Sequence, residues 1–259
     1  MGCAAVLIGL NLLLFHRKLL VAFQKTHTPA SSTTIGTTKS APPAVGTTHA
    51  AAISPVPGVI TDTDRDNALS LFTRGTELLE QKKFAEAVDA FQASLKLDPE
   101  SEDTHFNLGF ALSKLGRTED AVRAYTEALR VLPDYAEAHN NLGNLLKNQG
   151  KLDEAIGHFD ATLKIIPDHP SAHNNLGVAL ALQGKINDAA LHFAKAVQLQ
   201  PDYVDAHYNL GSAYVTEGRL DEAIEEFSKA LRLKPDFHAA AQALIKARQT
   251  RSVQASTPK

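Results

Sequence analysis

Residues 136–169 read AEAHNNLGNLLKNQGKLDEAIGHFDATLKIIPDH and residues 170–203 read PSAHNNLGVALALQGKINDAALHFAKAVQLQPDY; one laid beneath the other matches place by place at a spacing of 34 residues. Self-similarity at a fixed period of this size marks an array of short supersecondary units rather than a single irregular core. The prolines that close both stretches extend outward as a ruler: Pro99, Pro133, Pro167, Pro201 and Pro235 fall at equal intervals, each followed by Glu100, Asp134, Asp168, Asp202 or Asp236. The repeats therefore occupy 68–101, 102–135, 136–169, 170–203 and 204–237. In every one the eighth place is glycine (Gly75, Gly109, Gly143, Gly177, Gly211) and the twentieth is alanine (Ala87, Ala121, Ala155, Ala189, Ala223). The twenty-fourth is aromatic: Phe91, Tyr125, Phe159, Phe193 and Phe227. Leucine precedes the glycine in all but the first repeat, where Arg74 stands.

The spacing within a repeat is helical. Leu142, Gly143 and Leu146 share one face of a first helix, and Ala155, Phe159 and Thr162 share one face of a second. Small residues at the eighth and twentieth places allow two backbones to cross closely, and the aromatic fills the wedge toward the neighbouring pair. Gly116, Gly150, Gly184 and Gly218 are expected to supply the left-handed residue that ends each first helix, with Lys82 in that place in the first repeat. The closing proline stops the second helix, and the acidic residue after it, as in Asp134 with Glu137 three places on, is expected to cap the next. A helix pair this short cannot bury its apolar side alone, so the pairs must stack. HAAAQALIKAR, from His238 to Arg248, has helical periodicity without the repeat signature, as a terminal capping helix would.

These residues resemble the tetratricopeptide repeat family, whose pattern has an aromatic at the fourth place, Leu-Gly at the seventh and eighth, then Ala, Phe and Pro. The resemblance implies an all-α, right-handed α-solenoid of five helix-turn-helix repeats plus a C-terminal capping helix. The expected organisation is an apolar N-terminal segment over 1–25, a disordered Thr/Ser/Pro/Ala-rich linker over 26–64, a repeat domain over 65–249 with its capping helix at 238–249, and a flexible tail over 250–259.

Composition excludes some classes of function. A net charge of −3 argues against a binder of phosphate backbones, which should carry a basic face. The single cysteine, Cys3, rules out an internal disulfide. Ahead of the linker, CAAVLIGLNLLLF (Cys3 to Phe15) is followed by His16, Arg17 and Lys18 and then by LLVAF (Leu19 to Phe23). Residues 3–23 suggest a membrane-associated or marginally spanning helix, with the repeats on the cytoplasmic side set by Arg17, Lys18 and Lys25. A cleaved signal with an exported product, a mispredicted start or truncated upstream sequence, an amphipathic surface helix, and a soluble cytoplasmic protein stay open.

No glycine-rich phosphate loop, nucleophile elbow or metal-ligand spacing occurs, so neither catalysis nor a cofactor is expected. The histidines at the fourth place (His105, His139, His173, His207) are a repeat step apart, too far to share one ion, and are expected to replace the family's aromatic in packing. The sixth place carries Asn107, Asn141, Asn175 and Asn209, opened by Thr73. In the family the first helices line the concave side and this place points into the groove. A carboxamide holds both a donor and an acceptor, so a ladder of them can pair with the backbone of an extended peptide whatever its side chains. HNNLGN (His139 to Asn144) and HNNLG (His173 to Gly177) resemble the repeat region of the O-GlcNAc transferases, which implies such a ladder. The plainer alternative is ordinary polar residues on a solvated helix face. Phe72, Phe106, Tyr208 and Asn144 join the expected groove, with acids Asp103, Glu137 and Asp205 beside it, favouring apolar or basic ligand side chains. Phe72, Thr76, Asn175 and Ser171 stand where the family's clamp for chaperone carboxylates uses lysine, asparagine or arginine, so that mode is not expected. The functional reading is a non-catalytic scaffold for an extended partner segment. A substrate-presenting arm beside a separate glycosyltransferase and a self-associating assembly factor are alternatives.

Overall fold

The computed structural model describes residues 60–256. Among these residues the chain is helical, with no strand: α1 (Asp62–Glu80), α2 (Phe84–Leu97), α3 (Glu102–Lys114), α4 (Thr118–Val131), α5 (Ala136–Asn148), α6 (Leu152–Ile165), α7 (Pro170–Leu182), α8 (Ile186–Leu199), α9 (Val204–Thr216), α10 (Leu220–Leu233) and α11 (His238–Ser256). Odd and even helices pair as antiparallel hairpins, one per repeat, and successive hairpins stack into a right-handed α-solenoid. First helices of successive pairs approach one another, α1 with α3, α5 with α7 and α7 with α9, more than second helices do. The first helices therefore form the inner, more tightly curved row.

The turn inside each hairpin follows from one backbone geometry. Gly116, Gly150, Gly184 and Gly218 have φ between 73° and 79°, and Lys82 takes φ 59° in the same place. With the chain reversed there, the N–H of Arg117 reaches the carbonyl of Leu112, and Lys151 reaches Leu146 in the same way. The C-cap of each second helix is the residue before its proline, from Asp98 and Leu132 to Lys234. The acidic residues after the prolines do not cap the following helices, which corrects the expectation for Asp134. The N-cap of α5 is Tyr135, with no side-chain cap, whereas Ser101 caps α3 and His169 caps α7 through its ring nitrogen. The connector carries the chain one residue past the acid before the helix begins, so the carboxylate lies outside capping reach.

Packing fits the small-residue reading. A methyl placed on Gly143 would stand 2.8 Å from Phe159 Cε1 and 3.2 Å from the Ala155 carbonyl oxygen, and the other eighth-place glycines meet their own twenty-fourth-place ring at 2.4–2.9 Å. Phe91, Phe159 and Phe227 are fully buried, as is Tyr125. Ser94 and Thr162 send hydroxyls across the hairpin to the carbonyls of Ala68 and Ala136. At the far end, Leu244 and Ala247 of α11 cover Ala223 and Phe227. That helix runs to Ser256, past the point where the sequence suggested a flexible tail: no glycine or proline interrupts QTRSVQAS, and Arg251 pairs with Asp221 at 2.5 Å. At the near end, α1 begins inside the expected linker because Thr61 and Asp64 form a reciprocal capping box.

The expectation of a transmembrane helix is corrected. Among the described residues no helix is long and apolar enough to cross a membrane. The two longest, α1 and α11, carry Asp62, Asp64, Arg65, Asp66, Arg74, Glu77 and Glu80, and Lys246, Arg248 and Arg251. The apolar segment 3–23, on which that expectation rested, lies outside the described residues.

Candidate functional site

The sixth-place asparagines lie on the inner row, half-buried at the seams between repeats. Asn175 donates through Nδ2 to Asn140 Oδ1 at 3.1 Å, and Asn209 donates to Asn174 Oδ1 at 2.9 Å. Each bond joins the sixth place of one repeat to the fifth place of the repeat before. Asn141 reaches the Tyr125 hydroxyl at 3.4 Å, since the fifth place of the preceding repeat is Phe106 and offers no acceptor. Asn107 turns back to the carbonyl of Asp103 in its own helix. A carboxamide has two N–H groups and an acceptor oxygen, so one internal bond leaves each side chain with donor and acceptor capacity for a ligand.

Phe106 and Tyr208 are not free groove rings. Phe106 stacks 5.0 Å from Tyr135 and tilts 5.7 Å from Tyr125, while Tyr208 sits 5.1 Å from Phe237 and 5.8 Å from Phe227. The fifth place thus wedges between the twenty-fourth and thirty-fourth places of its own repeat, and Phe72 meets Phe91 likewise. Of the expected acids, Asp103 accepts a hydrogen bond from Tyr135 Oη at 2.8 Å. Burial and that carboxylate push the Tyr135 phenol well above the usual tyrosine range. Asn144, at the ninth place, lies on the same face as Asn141 and Lys147.

The fourth-place histidines do more than fill space. His105, His139, His173 and His207 each set Nε2 within 2.9–3.0 Å of the carbonyl of Pro99, Pro133, Pro167 or Pro201. A carbonyl only accepts, so Nε2 carries the proton and ties each first helix to the preceding connector. The remaining nitrogen depends on the twenty-third place, where sequence reading saw nothing. His139 Nδ1 meets His158 Nδ1 at 2.8 Å and His173 Nδ1 meets His192 Nδ1 at 3.0 Å. With Nε2 protonated on the inner ring, the neutral pair requires His158 and His192 to donate. Burial is the main cause holding His158, His173 and His192 below the usual histidine range; for His158 and His192 the partner ring adds to it. In the last repeat the partner is Glu226, 2.5 Å from His207 Nδ1. Both nitrogens of His207 then donate, and its pKa is raised, chiefly by the bond to Glu226. The signal was available in the register: alanine at the twenty-third place (Ala90, Ala124) gives way to His158, His192 and Glu226.

No group of three or more His, Cys, Asp or Glu able to hold a metal occurs among the described residues. The arrangement is a polar seam with backbone-pairing capacity.

Family models described as tetratricopeptide repeat match residues 106–170, 167–204 and 175–238, and one described as TPR repeat matches 75–116. No curated protein matches the chain. Among solved structures, it is similar to MamA, at 24% identity over 66% of this chain and 93% of that one with a TM-score of 0.59. It is also similar to MamA from Desulfovibrio magneticus RS-1, at 21% identity over 69% of this chain and 99% of that one with a TM-score of 0.61. YrrB, described as a TPR protein with an unusual peptide-binding site, matches at 21% identity over 70% of this chain and 93% of that one with a TM-score of 0.59. At these identities the likeness is one of fold.

Proposed function

The chain belongs to the tetratricopeptide repeat family, and on that premise we propose that it is a non-catalytic scaffold that holds an extended segment of a partner protein along the inner row. The observation that carries this reading is the seam of linked carboxamides, Asn140 with Asn175 and Asn174 with Asn209. The internal bonds fix the orientation of each side chain before a ligand arrives, which lowers the entropy cost of recognition. The remaining donor and acceptor of the half-buried Asn140, Asn175 and Asn209 suit the alternating N–H and C=O of an extended backbone, while the buried Asn174 serves to orient Asn209. The likeness to O-GlcNAc transferase repeats rests on residues 139–144 and 173–177, and it motivates a second form of the same reading, presentation of an extended substrate to a separate glycosyltransferase.

The test is fluorescence polarisation with a labelled, N-acetylated octapeptide amide of alternating threonine and valine, which offers backbone and little else. Asn141→Ala with Asn175→Ala should weaken binding at least tenfold. The stability cost should be modest, about 0.5–1.5 kcal/mol for the lost Asn175–Asn140 bond. Unchanged affinity in the double variant would rule out the ladder.

A further inference from the structure

The histidine pairs of the third and fourth hairpins carry a chemistry that the peptide seam does not use. Histidine fills both the fourth and the twenty-third places only in these two repeats, as His139 with His158 and His173 with His192. The first repeat has Leu71 and Ala90 there, the second His105 and Ala124, and the fifth His207 and Glu226. One ring of each pair stands on the first helix and the other on the second, so each pair bridges the two helices of one hairpin. The rings meet through their Nδ1 atoms, 2.8 Å apart in the third hairpin and 3.0 Å apart in the fourth.

Nitrogens at this spacing can share an ion. Imidazole nitrogens sit about 2.0–2.1 Å from a divalent transition metal, so two of them 2.8–3.0 Å apart subtend about 90° at a common ion. That is the cis angle of a tetragonal site, whereas a tetrahedral one would need a separation of about 3.3 Å. Copper(II) and nickel(II) favour the tetragonal arrangement, and copper(II) binds nitrogen ligands most tightly among the divalent ions of the series. The outer shell is already in place. His139 and His173 donate Nε2–H to the carbonyls of Pro133 and Pro167 at 2.9 and 3.0 Å, the kind of bond that fixes the tautomer and orientation of a ligating ring. All four rings are half-buried rather than enclosed, so water can complete the coordination. Burial holds His158, His173 and His192 below the usual histidine range, which keeps these rings unprotonated at neutral pH. The charges of Glu154 beside His158, and of Asp160 and Asp188 beside His192, favour a cation there. In the fifth repeat the same place is closed, because His207 Nδ1 donates to Glu226 and Lys229 holds that carboxylate as well.

We propose that His139 with His158, and His173 with His192, form two bidentate sites for a divalent transition metal, copper(II) above all, each stapling the two helices of its hairpin. On binding, the hydrogen bond between the rings gives way to two coordinate bonds. The ring proton of His158 or His192 moves from Nδ1 to Nε2, which has no partner among the described residues, so no proton is released. Water takes the remaining positions on the ion.

The experiment uses the full chain stripped of metal, with copper(II) uptake followed by calorimetry. His158→Asn and His192→Asn each keep an amide nitrogen close to the place of Nδ1, so the bond to the inner ring survives while the ligand is lost. Wild type should take up two more equivalents of copper(II) than the double variant, and each single variant one more. Comparison with the double variant removes whatever other groups of the chain bind. In wild type alone, excess nickel(II) should slow hydrogen exchange in α5–α8 by about tenfold, the gain when free metal exceeds its dissociation constant about tenfold, and should leave α9–α10 as they are. Equal copper(II) uptake by wild type and a double variant with an unchanged melting curve overturns the sites. So does nickel(II) that leaves exchange in α5–α8 unchanged, a measurement that needs no variant and decides even where the substitutions unfold a hairpin.

Discussion

Two glycines in one hairpin should respond to alanine in opposite directions. Gly143 lies in α5 against Phe159, and an added methyl would stand 2.8 Å from Cε1 of that ring, 3.1 Å from Cδ1 and 3.2 Å from the Ala155 carbonyl oxygen. Carbon atoms prefer about 3.5–4.0 Å, so the crossing must open by about 0.7 Å or more. The ring is fully buried and the carbonyl is backbone, so neither yields cheaply. Overpacking of this kind costs about 1–3 kcal/mol, against a helix-propensity gain of about 1 kcal/mol. Gly143→Ala should therefore destabilise by up to about 2 kcal/mol. Gly157, in α6 of the same hairpin, is exposed with nothing within 4 Å of an added methyl. There the propensity gain stands alone, and Gly157→Ala should stabilise by about 0.5–1 kcal/mol. Urea unfolding followed by circular dichroism reads both, with the slope compared because repeat arrays can lose cooperativity. In a Phe159→Leu background the ring atoms are gone and only the 3.2 Å approach to the Ala155 carbonyl remains, so Gly143→Ala should lose most of its cost. If Gly143→Ala stabilises the wild-type chain as Gly157→Ala does, the close crossing of α5 and α6 is misplaced.

Lys82→Gly should stabilise by about 1 kcal/mol, because a left-handed φ of 59° strains a side-chain residue and the four later repeats place glycine there; an unchanged or lower denaturation midpoint would count against strain at that turn. Acid should loosen the middle of the array while sparing its end. His158, His169, His173 and His192 sit below the usual histidine range, chiefly through burial, so their folded forms bind fewer protons than the unfolded chain and stability falls as pH drops below about 6.5. His169 adds a direct reason, since its Nδ1 must stay unprotonated to accept from Ala172 N at 3.1 Å. His207 is raised by Glu226, so its contribution is complete below about 6.5 and is lost as pH rises through its folded value. Glu226, lowered on balance by His207 and Lys229 against its burial, keeps its contribution above about 4.5. Hydrogen exchange corrected for intrinsic rates should show protection falling in α5–α8 relative to α9–α10 between neutral pH and about 5.5. A uniform change along the array would refute this assignment.

The period, the hairpin of each repeat, the left-handed turn at Gly116 and its counterparts, and the small-against-aromatic crossing were all legible in the residues. Each depends on a side chain's size or backbone freedom at a fixed spacing, and such local rules hold in any register of stacking. The asparagine series was visible too, but its bonding was not. Whether Asn175 meets Asn140, whether Phe106 is a groove ring or a wedge between Tyr125 and Tyr135, and whether His139 finds a partner in His158 are decided between residues 19 to 35 positions apart. Those partners converge only when one hairpin closes and docks on the next. Sequence alone determined an array of stacked helix pairs, because size and periodicity act within a repeat, while its right-handed course was implied by the family resemblance. Only the tertiary structure decided which polar groups are already satisfied and which remain for a ligand, because hydrogen bonds and desolvation depend on what lies across each seam.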